Sequence, residues 1–117
     1  ISECELADIP DYSRTFFEAP REGIFDQNTL GKILSVLGEN VYITVDLDVL
    51  DPSLMPSVGN PQPGGLSWNG INELLRVITG RCRVVGFDVV ELAPNLGYPH
   101  ASFTAAKLVY RLMGYIT

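Results

Sequence analysis

Two aspartates separated by one residue, Asp46 and Asp48, are where side-chain type and spacing in this 117-residue chain first suggest chemistry. They end an apolar, β-branched run at 41–47 (VYITVDL) that reads as a strand. Positions i and i+2 of a strand point to one side, so the two carboxylates should converge. Close carboxylates repel each other, and a divalent cation is the natural relief. Oxygen ligands of this kind suit Mg²⁺, Ca²⁺ or Mn²⁺ better than a thiophilic metal. The spacing serves a second reading equally well, an acidic strand end that caps the turn after it. Glu91 directly follows another β-branched run, RVVGFDVV. If the two strands are parallel, their carboxyl ends share the edge where ligands bind in open α/β sheets. A glutamate there can hold a cation, act as a base or stand as a solvated charge. Asp51, before Pro52, reads as a turn residue. Asp88, inside the second run, reads as a supporting or structural residue, and His100, the sole histidine, as a capping or packing group.

Known uses of spaced aspartates narrow the choice. A calcium-binding EF-hand loop starting at Asp46 would need oxygen ligands where Leu50 and Ser57 stand, and glycine where Asp51 stands, and it fails at Leu50 and Asp51. A glycosidase strand of alternating acids fails at Leu50 as well. An Asp-x-Asp pair holding Mn²⁺ and a nucleotide sugar, as in glycosyltransferases, survives on spacing, although no basic residue lies nearby to meet a diphosphate.

The elements that must position these groups follow from periodicity. Leu30, Ile33, Leu34 and Leu37 mark a helix with Asp26 as N-cap and Gly38 as stop. Trp68, Ile71, Leu74, Leu75 and Ile78 mark a second, entered at Ser67 and ended by Gly80. Ala105, Leu108, Val109, Leu112 and Met113 mark a third, with Lys107 and Arg111 facing away. Alternation of helices with nearly continuous apolar strands argues for an α/β fold with a parallel, doubly covered sheet. Two strands, plus at most one more around residues 1–6, are too few for such a sheet. The chain therefore reads as the last portion of a larger domain. Residues 52–66 (PSLMPSVGNPQPGGL) place four prolines and three glycines in one stiff loop, of the length that usually carries function.

Composition sets the outer bounds. Eight basic against fourteen acidic residues give a net charge of −6, with no Lys/Arg cluster, which argues against nucleic-acid and membrane-surface partners. No apolar stretch is long enough for a transmembrane helix. Cys4 and Cys82 form neither a disulfide framework nor a zinc spacing, and reduced buried thiols fit a cytoplasmic address. The chain begins at Ile1 without methionine or secretory signal, so either something was removed or this is a piece of a longer protein.

The run Thr44-Val45-Asp46-Leu47-Asp48-Val49-Leu50-Asp51-Pro52, followed by Pro56 and by Gly59-Asn60-Pro61-Gln62-Pro63-Gly64-Gly65-Leu66, resembles a signature of the ureohydrolase family of arginases and agmatinases. Asp88-Val89-Val90-Glu91-Leu92-Ala93-Pro94 is similar to that family's last signature segment. Tyr98-Pro99-His100-Ala101 with Thr104-Ala105 resembles the entry to its final helix. The resemblance covers about residues 40–115 and implies that 1–117 is the C-terminal portion of a single ureohydrolase domain. It implies a three-layer α/β fold with a mostly parallel sheet, and a binuclear Mn²⁺ centre with Asp46 and Asp48 among its ligands. Glu91 would be the residue that binds the substrate guanidinium, and no catalytic residue is assigned within the chain. The Pro-Gln-Pro-Gly-Gly loop is more like agmatinases than arginases, which implies hydrolysis of agmatine to putrescine and urea in the complete protein, and the family resemblance implies a trimer or hexamer. The family's remaining metal ligands come from upstream histidine and Asp-x-His-x-Asp segments that this chain does not contain. A non-catalytic subunit or binding module therefore stands beside the Mn²⁺-dependent glycosyltransferase as a rival reading.

Overall fold

The computed structural model describes residues 16–117; Cys4 and the short strand expected around residues 1–6 lie outside the described residues. Helix α1 spans Gln27–Val36, and strand β1 spans Asn40–Asp46. Helix α2 spans Trp68–Arg81, strand β2 Arg83–Val90 and helix α3 Pro99–Ile116. Both expected N-caps are in place. The Asp26 side chain accepts from the Thr29 amide and Ser67 from the Gly70 amide, each satisfying a first-turn donor that the helix cannot.

The stop expected at Gly38 holds, and the one expected at Gly80 does not. Helix α1 closes at Leu37, whose backbone is already extended and whose N–H donates to Leu34 O, one residue before Gly38. Helix α2 runs through Gly80, and buried Cys82 caps it by donating to Ile78 O. A helical glycine costs roughly 1 kcal/mol relative to alanine, and that does not terminate a helix whose next residues are anchored in the core. Helix α3 begins at Pro99, a residue suited to a first helical turn because its missing N–H has no intrahelical role there. Its buried stripe is Ala101, Ala105, Leu108 and Leu112, while Met113 faces outward.

Strands β1 and β2 pair in parallel, with Thr44 opposite Asp88 and Asp46 opposite Val90. A bulge between Val41 and Tyr42 leaves Val85 unpaired and exposed. One face of the pair (Ile43, Val45, Phe87 and Val89) packs on Leu75, Ala105, Leu108 and their neighbours to form a single core. The other face, including Tyr42, Thr44, Asp46 and Val90, is exposed. The described residues thus form the expected α/β architecture as one sheet layer under one helical layer, with two hydrogen-bonded strands among them. Among the described residues, no helix is long and apolar enough to cross a membrane.

Candidate functional site

Parallel pairing brings the strand-end acids to one edge, since Asp46 lies opposite Val90 and Glu91 is the next residue. Strand β1 stops at Asp46, however, and Asp48 lies on a one-turn 3-10 helix at Leu47–Val49. Asp46 Oδ1 accepts from the Asp48 amide at 2.9 Å, so the capping reading of this pair holds alongside any ligand role. The relation between the two carboxylates comes from this cap and not from strand alternation. Leu47 and Leu50 are fully buried on either side and fix the turn.

Asp48 is half-buried, and its Oδ1 is buried with no hydrogen-bond partner. An unpaired buried carboxylate oxygen is costly, and a donor or a cation relieves it. The free Oδ2 of Asp46 and the orphaned Oδ1 of Asp48 are hard oxygen donors that fit a divalent ion. Two carboxylates do not complete a coordination sphere. Among the described residues no group of three or more His, Cys, Asp or Glu side chains could hold a metal, so Glu91, Asp88 and His100 do not join the pair in such a cluster.

Glu91 is exposed and holds φ at 72°, the sole non-glycine residue with positive φ among those described. The chain turns there, and two residues later the Ala93 amide donates to Ser57 O at 2.7 Å, attaching this segment to the Pro/Gly loop. The Glu91 carboxylate lies beside the same loop: a Cβ at Gly59 would stand 3.9 Å from its Oε2. Ser57 itself is completely buried, with an unpartnered Oγ.

The loop is held at both stems. One Asp51 oxygen accepts from the Ser53 amide at 3.0 Å and the Ser53 hydroxyl at 2.6 Å; the other accepts from the Gly64 amide at 2.9 Å. These bonds, the Ser53 hydroxyl first, hold the Asp51 carboxyl below its ordinary pKa. Leu66 N–H donates to Val49 O and Asp51 N–H to Leu66 O, forming a short parallel bridge at Leu50 and Leu66. Asp51, Ser53, Gly64 and Trp68 line a cleft of about 370 Å³. Sequence spacing identifies Asp51 as a turn residue, which it is, but carries no sign of its reach to Gly64.

On the exposed sheet face, Tyr42 Oη and Thr44 Oγ1 both donate to Asp88 Oδ2, at 3.0 and 3.3 Å. The bond to Asp88 raises the Tyr42 phenol above its ordinary pKa. Asp88 Oδ1 is buried and unpartnered. This gives Asp88 the supporting place expected of it. His100 is exposed on the first turn of α3, edge-on to the Tyr98 ring at 6.0 Å between centroids.

A sequence model of the arginase family matches residues 14–114. The chain is 53% identical over 94 residues to an N(1)-aminopropylagmatine ureohydrolase of Thermus thermophilus, covering 80% of this chain and 30% of that protein. It is 40% identical over 82 residues to an agmatinase of Pyrococcus horikoshii, covering 70% and 29%. The fold superposes on the crystal structure of an agmatine ureohydrolase of Thermoplasma volcanium with a TM-score of 0.65 and 32% identity, over 77% of this chain and 31% of that one. Helicobacter pylori arginase shares the fold alone, at a TM-score of 0.68 and 21% identity. The chain thus spans about 30% of the length of these relatives. The family match displaces the nucleotide-sugar reading of Asp-x-Asp, and the chain belongs to the arginase family.

Proposed function

We propose that the whole protein containing this chain is a ureohydrolase that cleaves an agmatine-type guanidine to urea and an amine. The observation that carries the reading is the shared edge, with Asp46 and Asp48 at the end of β1 and Glu91 turned out of the end of β2 beside a clamped loop. The names of the Thermus and Pyrococcus relatives both point to substrates built on agmatine. Glu91 accepts N–H bonds from the guanidinium, whose planar fork matches a carboxylate in two parallel charge-assisted bonds. Its place at a strand end fixes where the guanidinium carbon sits. Asp46 and Asp48 would hold Mn²⁺ together with ligands from outside this chain. When bound, such a metal would make a water nucleophile available at neutral pH. The acidic chain favours approach of a cationic substrate.

The test is to assay the whole protein, supplied with Mn²⁺, for urea release from agmatine, N(1)-aminopropylagmatine, arginine and guanidinobutyrate. Agmatine or its aminopropyl derivative should be preferred. Absence of urea from every guanidine would overturn the activity, and preference for arginine would overturn the substrate class.

A further inference from the structure

The loop at 52–66 forms the wall beside the Glu91 carboxylate, and its attachments converge on Asp51. The same carboxylate grips Ser53 near one stem and Gly64 near the other, thirteen residues away. Between them Met55, Ser57 and Val58 are buried almost completely, which seats the middle of the loop against the core. From that seated middle the Ser57 carbonyl accepts the Ala93 amide. Glu91 is therefore caught between two fixed points, the end of β2 and the Ala93 tie. Its left-handed backbone is a conformation that persists only where surroundings impose it. The stems leave no slack, because a Cβ at Gly65 would come within 2.6 Å of Asp51 N and Leu50 C.

We infer that Asp51 is a positioning residue for guanidine recognition: by stapling both stems of the loop it sets, through the Ser57–Ala93 tie, where the Glu91 carboxylate stands. The inference rests on the ureohydrolase reading for its substrate and on this geometry for its mechanism. Asparagine at 51 can still accept from Ser53, but it turns an N–H₂ toward the Gly64 amide and opens that stem. The loop then loosens, and Glu91 loses its pose without losing its charge.

The experiment is a double-mutant cycle in the whole protein with Asp51→Asn and Glu91→Gln. Asp51→Asn should raise KM for agmatine by about 10-fold or more with kcat within about 2-fold and Mn²⁺ content unchanged. In the Glu91→Gln background the same substitution should add less than about 2-fold, since the carboxylate it positions is gone. A full, additive penalty in that background would overturn the inference, as would an unchanged KM in an active enzyme. Amide exchange is read in parallel, whatever the turnover. Asp51→Asn should accelerate exchange at Gly64 and Ala93 but not at Ile71 in α2. Unchanged protection at Ala93 would break the proposed link even if the wild type proved to hydrolyse no guanidine, an outcome that by itself would instead sink the functional reading. Should Asp51→Asn not fold, Ser53→Ala removes one donor at an exposed position, and a smaller KM increase with faster exchange at Ala93 is expected. No change in either would count against the staple.

Discussion

Glu91 occupies backbone space that a side chain with a Cβ avoids, at a cost on the order of 1–3 kcal/mol. Glycine carries no such penalty, so Glu91→Gly should shift the urea midpoint toward greater stability by about 1 kcal/mol while guanidine turnover is lost. A loss of stability together with activity would mean that the left-handed turn is not strained. Glu91→Gln keeps the shape and tests the charge. It should leave Mn²⁺ content near normal while kcat/KM falls by about 10–1000-fold, or about 1.4–4 kcal/mol. Asp46→Asn and Asp48→Asn should instead lower Mn²⁺ content together with turnover, and full metal in both variants would exclude them as ligands. At this scale the sequence was legible where chemistry is local. An acid at a strand end and an acid just past the next strand can be read from types and spacing. The φ of Glu91 and the orphaned Oδ1 of Asp48 cannot, because they depend on what packs around them.

Caps and turns follow the same division between elements. Asp26 and Ser67 were readable as N-caps because the bonds they make span three residues. Gly38 marks the end of α1 just past its cap at Leu37, whereas Gly80 does not end α2, because glycine weakens a helix without ending it and the Cys82 amide decides where α2 closes. Ser67 also donates to Gly23 O at 3.2 Å, so Ser67→Ala should cost about 1–2 kcal/mol in denaturant unfolding. Two glycines should respond differently to alanine. At Gly65 the new Cβ meets backbone atoms of Val49, Leu50 and Asp51, and a loss of about 3 kcal/mol is expected. At Gly86 it meets the ring of exposed Tyr42, which can swing away, and the loss should stay below about 1.5 kcal/mol. The staple has its own pH signature. Asp51 titrates lower in the fold than in the unfolded chain, so its contribution is complete above the ordinary aspartate range and is lost only as pH falls below about 4. Tyr42 is the reverse case, with a raised phenol whose contribution is present below about pH 10 and is lost as pH climbs past it. Tyr42→Phe should flatten the alkaline limb of the stability profile.

For the molecule as a whole, the order of elements and the parallel pairing were legible, since a helix between two apolar strands has few other solutions. A doubly covered sheet was legible only as an expectation, because nothing among the described residues covers its other face. Tyr42 and Val90 are 59% and 40% exposed on that face, and both strands have an edge without a described partner. Exposed edges and apolar faces of this kind promote self-association. Residues 1–117 expressed alone should therefore elute as self-associated species and release no urea with excess Mn²⁺ and agmatine. Two aspartates cannot fill the coordination of two ions. A monodisperse monomer that releases urea would show that the active site is assembled from fewer groups than the family fold requires.

Trp68, the sole tryptophan, leaves the loop at its exit stem and lines a cleft together with Asp51, Ser53 and Gly64. The indole is partly buried against the core, so its emission depends on how closely that stem is packed. The molecule therefore carries its own optical probe at the staple. Opening of the Gly64 stem should redden the fluorescence and admit a neutral quencher such as acrylamide. With Asp51 intact both signals should stay constant from neutral pH down to about 4, and change together below it. A ligand that settles on Glu91 and tightens the loop should slow quenching without any dye or label being attached.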